Sequence, residues 1–145
     1  WIKGNLSTRN QIMKITGTKV DDETSSLAVC LETILSYEGY SRDAQTLLDQ
    51  DYSAVEILEE AMPGAEILEL QGCSLDSVLY YVNQDIPVLF IGDDGEAVLI
   101  VGFNDLNTVW MNPENGRVYK VGMNDSKEFF EENGNNFIAY LRNEE

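Results

Sequence analysis

Residues 86–103 read Ile-Pro-Val-Leu-Phe-Ile-Gly-Asp-Asp-Gly-Glu-Ala-Val-Leu-Ile-Val-Gly-Phe, two apolar runs around an acidic, glycine-bearing turn. Each run has strand length, and Asp93-Asp94-Gly95 between them is turn chemistry, so the stretch predicts a buried β-hairpin over Ile86–Ile91 and Ala97–Phe103. Asp105–Asn107 then turns the chain into a strand at Thr108–Met111, and Asn115-Gly116 turns it into another at Arg117–Val121. The result is an antiparallel meander of four strands. Asn124 or Ser126 can cap a short helix holding Phe129 and Phe130. Phe137–Leu141, apolar at 137, 139 and 141, reads as a last strand.

Upstream of the hairpin the period changes. Leu27, Cys30, Leu31, Ile34 and Leu35 recur at helical spacing from a start at Ser25 or Ser26, and Gly39 stops the run. Ser41 can cap a second helix with Ala44, Leu47 and Leu48. Ser53 and Glu56 make a capping box for a third, ended by Pro63-Gly64. Ala65–Leu70 alternates well enough for an edge strand, and Ser74 opens a fourth helix with Leu75, Val78, Leu79 and Val82 on one face. Helices first and antiparallel strands second define an α+β fold. Residues 1–24 read as an irregular lead-in to a single domain over 25–145. The start at Trp1 leads us to expect a piece of a longer protein.

At 145 residues the chain suits one hydrophobic core. With 26 acidic against 9 basic residues its net charge is −17, a poor match for nucleic acid or for anionic lipid. No apolar run approaches membrane-spanning length, so direct membrane insertion is not expected. The chain has no histidine at all. Its two cysteines, Cys30 and Cys73, lack the CxxC spacing of a zinc site, and no cofactor or metal is implied. They read as small core residues, with a disulfide between them left open. Asp93, Asp94 and Glu96 lack EF-hand spacing and read as a solvated turn.

The element order resembles the papain-like C39 cysteine peptidases, on three phrases. The first is the helix from Ser26 to Tyr37-Glu38-Gly39. The second is Pro87-Val88 followed by Glu96-Ala97-Val98-Leu99-Ile100-Val101-Gly102-Phe103. The third is Asn112-Pro113-Glu114-Asn115-Gly116. The resemblance covers roughly residues 20–141. It implies N-terminal helices packed on a C-terminal antiparallel sheet, and it places the family's nucleophile at Ser26, its histidine at Glu96 and its third catalytic residue at Asn112. The family's oxyanion-hole glutamine would fall near Val20, where no Gln occurs.

A cysteine peptidase needs a thiolate and an imidazolium partner. A serine hydroxyl beside a carboxylate is a far weaker pair, because a carboxylate is a feeble base toward an alcohol. The resemblance with these departures therefore predicts no catalytic residues. It predicts a non-enzymatic pseudo-peptidase module that binds a peptide or partner segment, or other domains of its parent, within a larger bacterial protein. An exported or membrane-associated setting is what the resemblance implies. Two alternatives stand beside it: an unusual hydrolase using Ser26 or Cys30, and a packing domain whose groove is filled by side chains such as Leu27. On local spacing alone Ser26 reads as a helix N-cap, and Cys30 as core.

Overall fold

The computed structural model describes residues 11–12 and 25–142. Seven strands form one antiparallel sheet: β1 (Gln11–Ile12), β2 (Glu66–Gln71), β3 (Val88–Ile91), β4 (Ala97–Phe103), β5 (Asn107–Met111), β6 (Val118–Gly122) and β7 (Asn136–Leu141). Their order is β2-β7-β3-β4-β5-β6, with β1 paired to β4 off this path. Five helices accompany it: α1 (Ser26–Tyr37), α2 (Ala44–Asp49), α3 (Ala54–Ala61), α4 (Leu75–Val82) and α5 (Met123–Glu132). The expected α+β arrangement is what the chain adopts.

The four-strand meander β3 to β6 is present, and the closing strand β7 inserts between β3 and the edge strand β2. A local sequence reading cannot supply that insertion, because it pairs Leu89 with Ile138 across 49 positions. The irregular lead-in expected over 1–24 contributes at least one ordered piece: Gln11 and Ile12 pair with Phe103 and Gly102. They take the stretch of β4 beyond Ile100, where its pairing with β3 stops. The Val20 region lies outside the described residues.

Helix α1 is the spine of the core, with Ala28, Val29, Cys30, Leu31, Ile34 and Leu35 all at 1% exposure or less. Burying a leucine such as Leu31 stabilises the fold by about 2 kcal/mol. Of its twelve residues only Ser36 is exposed and Glu32 stays half-buried, so apolar neighbours cover most of the helix. On the side of the sheet reached by Trp110, an aromatic stack joins Phe137, Phe90, Phe130 and Trp110, with centroids 4.6–5.5 Å apart.

The helix starts differ from expectation in three places. Ser25, not Ser26, caps α1, its hydroxyl accepting the Ala28 amide at 3.2 Å. Asp43, not Ser41, caps α2. Helix α5 has no side-chain cap. Ser126 is instead fully buried and shares a 2.6 Å hydrogen bond with Thr108, which also accepts the Trp110 indole N–H at 2.8 Å. That network ties α5 to β5, a job no capping residue could do. The capping box of Ser53 and Glu56 and the Ser74 cap are as expected.

Candidate functional site

Because Ser25 takes the capping role, the hydroxyl of Ser26 is available elsewhere. Its oxygen accepts the backbone N–H of Ala97 at 2.9 Å, across 71 positions of sequence. The first turn of α1 is thereby fastened to the first residue of β4, immediately after Glu96.

The Glu96 backbone is held on both sides. Its N–H donates to Asp94 Oδ1 at 2.9 Å and its carbonyl accepts the Gly92 amide at 2.8 Å. Gly95, at φ +86°, completes this turn in a conformation that disfavours a side chain. Asp94 thus has a structural role in the turn, and the Glu96 side chain remains exposed. Among the described residues no group of three or more metal-ligating side chains converges.

Asn112 sits at the end of β5. Since Leu99 pairs with Met111, Asn112 falls opposite Val98, one strand spacing of about 5 Å from β4. Its side-chain oxygen accepts the Glu114 amide at 2.9 Å and its backbone N–H donates to Arg117 at 2.7 Å. Fold and register bring Ser26, Glu96 and Asn112 to one corner of the molecule. No hydrogen bond connects their three side chains among the described residues.

Cys30, one turn further along α1, is elsewhere in character. It is fully buried, and burial pushes its thiol far above the usual range, so no thiolate forms there near neutral pH. Cys73 is half-buried rather than buried, and both thiols are free. Leu27 is half-buried and packs against the core.

The far end of α1, about 18 Å along the helix axis, carries a feature that sequence reasoning missed. Glu38 accepts the Tyr140 hydroxyl at 2.6 Å and pairs with Arg142 at 2.8 Å. Arg142 also donates to the carbonyls of Gln84 and Asp85. A pocket of about 160 Å³ opens beside this cluster, lined also by Tyr40, Met62 and Pro63. Burial, then the hydrogen bond to Glu38, drive the Tyr140 hydroxyl's pKa far up. The cluster clamps α1 to β7 and has no connection to the Ser26 corner.

With this geometry the chain can be compared with known proteins. No protein-family model matches it, and no curated protein matches it in sequence. Solved structures do. One, a C39-like peptidase from Bacillus anthracis, aligns with a TM-score of 0.69 at 14% identity, over 91% of this chain and 92% of that one. The chain has the fold of the C39-like peptidases. A second, a double-glycine-motif protease from an AMS/PCAT transporter in complex with the leader peptide, aligns with a TM-score of 0.64 at 13% identity, over 90% and 94%.

The C39-like frame corrects one expectation. Residue types at Ser26 and Glu96 had pointed to a chain that is not an enzyme, but both structural relatives are peptidases, and nothing in the structure marks this frame as degenerate. The inference from missing residue types alone was too strong. The expectation that Ser26 is a helix cap is corrected as well: it is the Ala97 partner.

Proposed function

We propose that this chain receives a segment of another polypeptide at the corner formed by the first turn of α1, the start of β4 and the turn following Asn112, as one module of a larger bacterial protein. The observation that carries this reading is the 2.9 Å bond from the Ala97 amide to Ser26, which joins the two elements flanking that corner. An extended peptide offers alternating N–H and C=O groups. The corner offers matching partners in the Ser26 hydroxyl proton, the exposed Glu96 carboxylate and the Asn112 side-chain amide. A net charge of −17 favours a segment of basic character. A relative in fold was solved with a leader peptide bound, which supports a peptide as the ligand class.

Calorimetric titration with candidate segments of the parent protein and of its neighbours tests the reading. Binding that weakens in Ser26→Ala supports it. Absence of binding across the set, with the protein folded by circular dichroism, overturns it.

A second reading uses the same corner for hydrolysis. It is favoured by the fact that Ser26 is released from capping and its hydroxyl, accepting only the Ala97 amide among the described residues, keeps a proton to donate, whereas the Cys30 thiol is buried. Fluorophosphonate labelling of Ser26, with peptide hydrolysis lost in Ser26→Ala, supports it; an unlabelled, inert protein removes it.

A further inference from the structure

Strand β6 ends the sheet: among the described residues no strand lies beyond it. Its pairing with β5 fixes which backbone groups it leaves over. The Asn112 amide bonds to the Arg117 carbonyl at 2.7 Å and the Met123 amide to the Leu106 carbonyl at 2.8 Å, flanking the ladder at both ends. Hydrogen-bonded and non-hydrogen-bonded pairs alternate along an antiparallel ladder. The pairs Trp110–Tyr119 and Thr108–Val121 are therefore bonded, and the N–H and C=O groups of Val118 and Lys120 and the N–H of Gly122 point away from β5, the Gly122 carbonyl being taken by the first turn of α5, which Gly122 caps.

The side chains on this edge are unusual for the molecule. Val118 and Tyr119 are 41% and 42% exposed, so apolar surface accompanies the unpaired backbone. Arg42, Arg117, Lys120, Lys127 and Arg142 are the basic residues between positions 25 and 142. Lys127 pairs with Asp76 and Arg142 with Glu38. Arg117 and Lys120, which flank Val118 and Tyr119, form no ion pair among the described residues. The opposite edge, β2, has acidic Glu66 and Glu69 instead. In a chain of net charge −17, the Arg117–Lys120 part of this edge is locally cationic, with the Asp125 carboxylate lying at its Gly122 end.

We propose that β6 is a docking edge for an extended acidic segment of a partner polypeptide, which adds to the sheet as a further antiparallel or parallel strand. Backbone bonds to Val118, Lys120 and Gly122 would give the affinity, and acidic side chains opposite Arg117 and Lys120 the selectivity. A second copy of this chain is a worse occupant. Pairing β6 with itself about a twofold axis brings like-charged Arg117 and Lys120 side chains together, and it joins two bodies of charge −17. At physiological ionic strength, screening over about 8 Å leaves the local cations in charge of a short strand's approach. This edge adjoins the turn after Asn112 at Arg117 but runs along the side of β5 away from β4, and the inference does not depend on the function proposed at the Ser26 corner.

The test is amide hydrogen exchange by NMR on the full chain, with a capped heptapeptide of alternating valine and glutamate, and one of valine and lysine as control. The glutamate peptide should slow exchange at Val118, Lys120 and Gly122 while leaving Tyr119 and Val121, already bonded to β5, unchanged. Lys120→Glu should weaken that peptide about two- to fivefold, and added salt should weaken it too. Lys120→Pro removes an outward N–H without touching the β5 ladder and should weaken it about tenfold. No slowing, equal slowing by the lysine peptide, or undiminished binding in Lys120→Pro would each show an edge that is merely guarded by its charges, and would overturn the proposal. Slowing that follows protein concentration without peptide would assign the edge to a second copy and overturn it as well.

Discussion

The hydroxyl of Ser26 and the backbone amide of Ala97 meet at 2.9 Å, although 71 residues separate them. The bond fixes the distance between the helical half and the sheet at the point where the two come closest to the candidate peptide corner. Ser26→Ala leaves the half-buried junction with an N–H lacking its acceptor. We expect a loss of about 1–2 kcal/mol in urea unfolding, together with weaker peptide binding by calorimetry. Ser25→Ala is the matched control: losing the α1 cap costs about 1 kcal/mol and should leave peptide affinity unchanged.

The two thiols should separate by reactivity. Cys30 is fully buried and its pKa is raised by that burial, whereas Cys73 is half-buried. In native buffer a thiol-directed reagent should titrate Cys73 alone, with Cys30 appearing only after denaturation. Cys73→Ser should abolish the native reaction. Rapid native labelling of Cys30 would contradict the placement of α1 in the core.

The buried trio of Thr108, Ser126 and Trp110 predicts a non-additive pair of substitutions. Thr108→Val removes the partner of both the Ser126 hydroxyl and the Trp110 indole, costing about 2–4 kcal/mol in denaturant unfolding. Adding Ser126→Ala to it should restore part of the loss, because the one orphaned hydroxyl is then gone and only the Trp110 N–H remains without its partner.

Stability should fall at alkaline pH. The folded-state pKa of Tyr140 is raised, by burial first and by Glu38 second, and that of Cys30 is raised by burial. Both groups release their protons more readily once unfolded. Their contribution is intact below the unfolded values, about 8.5 for a thiol and about 10 for a tyrosine, and is lost as pH climbs above them. Urea midpoints measured from pH 7 to 11 should decline from about pH 9. Tyr140→Phe should flatten the part of the decline above about pH 10.

How far the sequence alone reaches is visible in individual residues. The Ser53–Glu56 capping box, the Ser74 cap and the β3–β6 meander were legible because each is set by side chains within a few positions of one another. Ser25 against Ser26, and Asp43 against Ser41, were not. Neighbouring residues with the same capping chemistry differ by about 1 kcal/mol or less, and a long-range partner decides between them.

Composition and periodicity by themselves determined an α+β domain, most of its strands and helices and the absence of an imidazole, while the phrases around Ser26, Glu96 and Asn112 carried only a resemblance to the C39 peptidases. They could do so because those properties follow from local propensity and from which residue types are present. Only the tertiary structure decided that Ser26 reaches Ala97, that β7 inserts between β2 and β3, that Glu38 clamps Tyr140 and Arg142, and that β6 faces outward with its cations unpaired. These are contacts between residues tens of positions apart. Which of them forms depends on how the whole chain closes around its core, and no local pattern encodes that.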